Sequence, residues 1–121
     1  MNASDILDEI VGNLKAELGS GFGKIRKFTQ DQGMMLAKQA ELIAHSRIDG
    51  NLASDDEFFE WLLEGLKKDT ANMVKSIAVL TVLTLEKAWN AVANALWGGI
   101  RTILGAAGLP APLIPAKPPK I

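Results

Sequence analysis

Glu41 and His45 stand four residues apart in a helical stretch, the spacing at which a carboxylate orients an imidazole for acid-base work. His45 is the one histidine of the sequence, and no nucleophile or metal-ligand set accompanies the pair, so a solvated surface histidine is the simpler reading. Asp55, Asp56, Glu57, Glu60 and Glu64 are a dense group of carboxylates that could in principle hold a divalent ion. They also open a helix, where negative charge favours the positive end of the macrodipole, and that explains them without a metal.

Two loops imitate ligand loops. Gly19, Gly21, Gly23 and Lys24 precede a helix, as the glycines of a phosphate loop do, but Leu18 and Ile25 occupy the positions where a Walker loop needs Gly and Ser or Thr. A hinge between helices fits them better. The segment from Asp49 to Glu60 has the length of a calcium loop, with Asp49, Asn51, Asp55 and Glu60 at ligand positions. Ala53 and Ser54 stand where a further ligand and the turn-forming glycine belong, so a turn and a capped helix start are expected instead. The residues therefore assign no catalytic, cofactor-binding or metal-ligating position, and neither an enzyme, a cofactor nor a small-molecule substrate is expected.

Composition agrees with a small helical protein built to bury apolar surface. The chain has 121 residues, 48% of them hydrophobic, and a net charge of -1, which gives no electrostatic case for nucleic acid. Charge is uneven: residues 1 to 48 balance, 49 to 75 carry seven acids and three bases, and 76 to 121 carry one acid and four bases. The absence of cysteine excludes disulfides and thiolate metal sites. The start MNASDILDEI lacks the basic region of a secretory signal; the sequence assigns no location, and the cytoplasm and a virus particle are both compatible with it.

The elements follow from periodicity and punctuation. Ser4 reads as the cap of a short amphipathic helix with Ile6, Leu7, Ile10, Val11, Leu14 and Leu18 on one stripe, ended by Gly19, Ser20 and Gly21. A second helix runs from about residue 24 to 48, with Ile25, Phe28, Gln32, Leu36, Gln39, Ala40 and Ile43 inward. Ser54 and Glu57 form a capping box for a third, which pairs with the second as an antiparallel hairpin around the Asp49 to Ala53 turn.

Helical spacing continues from Phe58 to Ile100 without a proline. One uninterrupted helix of roughly 45 residues would be about 68 Å long. A globule of this size has a radius of gyration near 14 Å, so the helix either breaks or reaches into a neighbour. The β-branched stretch from Ile77 to Thr84 is the expected break, with a strand as the competing reading.

The C-terminal helix carries the sharpest signal. Trp89, Val92, Leu96 and Ile100 share a wide apolar arc, and Ala91, Ala95 and Gly99 form a smooth stripe that lets another backbone approach. Ile77 and Leu80 extend the apolar surface upstream, where the pattern is greasy nearly all round, as in a helix surrounded on every side. An oligomer interface through Ile77, Leu80, Trp89, Ala91, Val92, Ala95, Leu96, Gly99 and Ile100 is the expectation. Beyond Gly108 all five prolines lie in an extended tail, residues 109 to 121, with Leu113, Ile114 and Ile121 as anchors on another chain. Its Pro115, Pro118 and Lys120 also match the pattern of a polyproline ligand.

The overall expectation is an all-α fold: a helical domain over residues 1 to 108 with a long apolar C-terminal helix and a proline-rich tail. Its function is structural, in a homo-oligomer or as a minor part of a larger assembly such as a virus particle or tail. A membrane-active protein, pore-forming, holin-like or ejection-type, that inserts residues 76 to 104 is the alternative. The uncharged windows there, ten and thirteen residues, fall short of the roughly 20 a spanning helix needs.

Overall fold

Asn2, one residue ahead of the first helical position, caps helix α1 (Ala3–Leu18). Its side-chain oxygen accepts from the Asp5 amide at 3.0 Å, and the Asp5 carboxylate accepts from the Asn2 amide at 2.9 Å. This reciprocal box displaces the cap expected at Ser4, which sits inside the first turn. In this computed structural model residues 1–49 and 55–121 are described, and among them every regular element is helical, with no strand.

Helix α1 ends at Gly19, whose φ of +56° lies in the left-handed region that glycine tolerates best. The glycine-rich segment then winds as a 3-10 helix, Gly19–Ile25, and drops Phe22 and Ile25 into the core. Helix α2 (Arg26–Ile48) buries Thr29, Gly33, Leu36, Ala37, Ala40, Ile43, Ala44 and Arg47. Its inner face is thus rotated from the expected one: Gln32 is exposed, and Phe28 and Gln39 are only half-buried. The small residues face inward because they admit neighbours closely. A Cβ on Gly33 would stand 2.9 Å from Leu7 Cδ1.

Helix α3 (Asp56–Leu80) is capped by Asp55, which accepts from the Phe58 amide at 2.9 Å. Ser54 of the expected capping box and the turn residues Gly50 to Ala53 lie outside the described residues. The long helical pattern breaks where β-branched residues crowd, and threonine hydroxyls complete the break. Thr81 Oγ1 donates to the Ile77 carbonyl at 2.7 Å and accepts from the Leu83 amide at 3.2 Å. Thr84 Oγ1 then accepts from the Lys87 amide at 3.1 Å and caps helix α4 (Leu85–Ala106). By accepting, the two hydroxyls satisfy the Leu83 and Lys87 amides, which the interruption leaves without helical partners.

Helix α4 is the axis of the fold, in contact with α1, α2 and α3. It runs antiparallel to α1: Ile6 meets Gly99 at one level, and Asn13 Nδ2 donates to the Ala91 carbonyl at 2.9 Å two turns away. Helix α2 is antiparallel to α1, since the Ala3 amide donates to Glu41 Oε2 at 2.8 Å while Gly33 lies against Leu7 and Ile10. Helices α2 and α3 also run antiparallel, with Phe28 and Ser76 lining one end of their shared groove and Ser46 and Leu62 the other. Helix α4 thus packs against three helices and keeps a polar edge, with Asn90, Asn94 and Arg101 exposed. Gly108, at φ +80°, turns the chain out of α4, and Leu109 begins the tail with its amide donating to the Leu104 carbonyl.

Candidate interaction surface

The residues expected to bind another copy are already occupied. Ile77, Trp89, Ala91, Val92, Ala95, Leu96, Gly99 and Ile100 are all buried among helices of their own chain. The smooth stripe receives α1: a Cβ on Gly99 would fall 2.6 Å from Ile6 Cγ1. Close backbone approach is the use the spacing indicated, but the approaching helix lies in the same chain, because α1 and α2 together cover more of α4 than their length implied. Leu80 alone of the set is open to solvent, 52% exposed at the end of α3.

The tail is likewise held at home. Trp89 Nε1 donates to the Pro119 carbonyl at 2.8 Å, and Arg47 Nε donates to the Leu113 carbonyl at 3.3 Å. Pro115 and Pro119 form a cleft with Leu63 and Trp97, so the prolines lie along the α3–α4 seam. Leu113 and Ile114 are half-buried, whereas Ile121 is exposed. The expectation of a second chain beneath the tail gives way to the tail's own backbone carbonyls. Proline lacks an amide but keeps a carbonyl acceptor, which Trp89 uses at Pro119, while Arg47 uses the carbonyl of Leu113 among the prolines.

Arg47 is the residue whose role the periodicity did not disclose. Only 4% exposed, it forms an ion pair with Asp56 at the start of α3, lies 4.6 Å over the Phe59 ring and reaches the tail. The planar guanidinium can donate to several acceptors while stacking on an aromatic face, which suits a junction of three elements. Its position four residues after Ile43 on the inward face was the available signal.

His45 is exposed and Glu41 is spent on the Ala3 amide, so the two do not form an acid-base pair. Asp55, Asp56, Glu57, Glu60 and Glu64 are exposed along the first turns of α3, and no metal-holding cluster of three or more His, Asp or Glu occurs among the described residues. The glycine segment buries Phe22, with the Lys15 and Arg26 cations 5.6 and 5.9 Å from its ring centre.

What remains open is a groove between α2 and α3. Its wider end, about 570 Å³, is lined by Met35, Leu42, Ile43 and Leu62 with Lys38, Gln39 and Ser46. A second end, toward Phe28 and Met73, shares Met35 and Gln39 with it. Met35 and Leu42 are 65% and 69% exposed, so the wider end is apolar surface left in water, while the second end also carries Gln32, Asp69, Asn72 and Ser76. Comparison with protein-family models, with curated proteins and with solved structures finds no match.

Proposed function

We propose that the chain is a non-enzymatic assembly protein that associates with a second copy of itself through the α2–α3 groove. The observation that carries this reading is the exposure of Met35 and Leu42 on either side of one helical turn pair, facing Leu62 across an apolar channel. From Phe28 to Ser46 the groove follows 19 residues of α2, about 27 Å of helix, which matches the length of a partner helix laid into it. Lys38 lines the α2 side and Asp69 the α3 side. A two-fold axis at the groove centre sets Lys38 of one copy toward Asp69 of the other, the self-complementarity that an isologous contact requires.

In this reading α4 is the framework and the tail a strap along one seam, and neither meets the partner directly. A larger assembly, a virus particle or tail among them, would take such dimers as its unit and join them through a second surface, because an isologous contact closes on two copies. Insertion of residues 76 to 104 as a pore-forming, holin-like or ejection-type segment has less support. It requires the core helix to leave its three neighbours, and no helix among the described residues is long and apolar enough to cross a membrane.

The test is the native mass of the full chain, measured by light scattering across a concentration series with and without detergent. A multimer is expected, with Leu42→Asp and Met35→Asp each weakening association at least about tenfold, the equivalent of about 1.4 kcal/mol. A strictly monomeric wild type at all concentrations refutes self-association.

A further inference from the structure

The α3–α4 turn carries the two most exposed large hydrophobic residues among those described, Val79 at 84% and Val82 at 92%, with Leu80 and Leu85 beside them. Four aliphatic side chains therefore stand in water on one projecting turn. None is needed for the core, which Ile77 and Leu83 serve on either side.

The surroundings of that turn are basic. The antiparallel packing brings five segments to this end of the bundle: the end of α1, the 3-10 helix, the start of α2, the end of α3 and the start of α4. Asn13 pairs with Ala91, and continuing that register along α1 sets Leu18 near the level of Lys87. Phe28 shares a groove end with Ser76, so Arg26 and Lys27 come level with the last turn of α3. Residues 15–27 and 75–88 contribute six bases, Lys15, Lys24, Arg26, Lys27, Lys75 and Lys87, against two acids, Glu17 and Glu86. All eight side chains are exposed, and the next acids, Asp31 and Asp69, lie further down the bundle. The opposite end holds Asp49, Asp55, Asp56, Glu57 and Glu60. A chain of net charge -1 is thus polarised along its axis, and the basic pole is the one with the apolar tip.

We infer that this pole docks on an anionic lipid bilayer, the α3–α4 turn entering the headgroup layer while the basic collar meets acidic headgroups. Two signals combine here, apolar insertion and electrostatic attraction, and stable peripheral binding draws on both. Aliphatic residues ringed by bases fit a negatively charged, partly apolar surface, whereas two copies meeting tip to tip would oppose their like-charged collars. The docking leaves the bundle closed, since none of the four tip residues is buried. It uses a different surface from the α2–α3 groove and stands or falls independently of self-association.

The test is co-sedimentation of the full chain with vesicles of phosphatidylcholine alone and of phosphatidylcholine mixed with phosphatidylserine. The chain is expected to pellet with the anionic vesicles, to remain in solution with the neutral ones and to be released by salt. The Val79→Asp/Val82→Asp and Lys24→Glu/Lys27→Glu variants should each lose at least about tenfold in vesicle affinity, with helical content unchanged because these side chains are exposed. A Val82→Trp chain supplies a second reading that does not depend on those variants folding: its emission should be quenched by brominated anionic lipid beyond the quenching of the wild type. Failure of the wild type to pellet with anionic vesicles overturns the inference. So does unchanged binding of the valine variant, or a fall in lipid-free native mass caused by that variant, which would assign the tip to a second copy.

Discussion

Gly99 and Gly65 are both glycines inside helices, yet their surroundings give opposite predictions. A Cβ on Gly99 meets Ile6 Cγ1 at 2.6 Å, and Ile6 is fully buried with no room to withdraw. Gly99→Ala should therefore cost about 1–3 kcal/mol through overpacking, more than the roughly 1 kcal/mol gained in helix propensity. Nothing lies within 4 Å of a Cβ on Gly65, so Gly65→Ala should add about 0.5–1 kcal/mol. Denaturant melts of the two variants check the contrast, and a stabilised Gly99→Ala would show that α1 is not seated against α4. Thr29 offers a third case: its buried hydroxyl has no hydrogen-bond partner among the described residues. Thr29→Val keeps the shape and removes the unsatisfied oxygen, so its melting temperature should be unchanged or raised, by up to about 1 kcal/mol in stability.

At the scale of elements, the tail is an intramolecular strap. Deleting residues 109 to 121 removes the acceptors for Trp89 Nε1 and Arg47 Nε and uncovers Trp97 in the α3–α4 seam. The loss should be about 2–4 kcal/mol, from two hydrogen bonds to buried donors and one apolar strip. The four helices should persist, since their mutual contacts do not run through the tail. Tryptophan emission reads the outcome: a red shift at constant far-ultraviolet ellipticity is expected, and an unshifted spectrum would mean that the indoles are covered some other way. Arg47→Met should loosen the same strap from its other end. It removes a buried cation along with its acceptors' partner, and Asp56, whose side chain is 76% exposed, is rehydrated.

At the scale of the whole molecule, α4 is the part without which the rest has no interior. Helices α1, α2 and α3 each bury a face against it, so a fragment ending at Thr84 leaves Ile6, Ile10, Leu66 and Ile77 without their cover. That fragment should show a broad, non-cooperative melt and bind a hydrophobic dye, while the fragment ending at Gly108 melts cooperatively. Circular dichroism and dye fluorescence distinguish them. A cooperative 1 to 84 fragment would contradict the central placing of α4.

The all-helical class was legible in the sequence, because a 3.6-residue period is a local property that survives any tertiary arrangement. So was the interruption near Ile77 to Thr84, since crowded β-branched residues and threonine hydroxyls act on their own backbone. The apolar surround of α4 was equally visible; what covers it was not. Periodicity states that a face is buried but carries no label for the chain that buries it, and Ala91, Ala95 and Gly99 read the same whether α1 or a foreign helix approaches. The tail was misread for a related reason: prolines advertise missing donors, whereas the structure uses the carbonyls of Leu113 and Pro119, and only the placing of Arg47 and Trp89 shows that. The basic pole was invisible in sequence because its six cations come from stretches some fifty residues apart. Antiparallel packing brought them to one end.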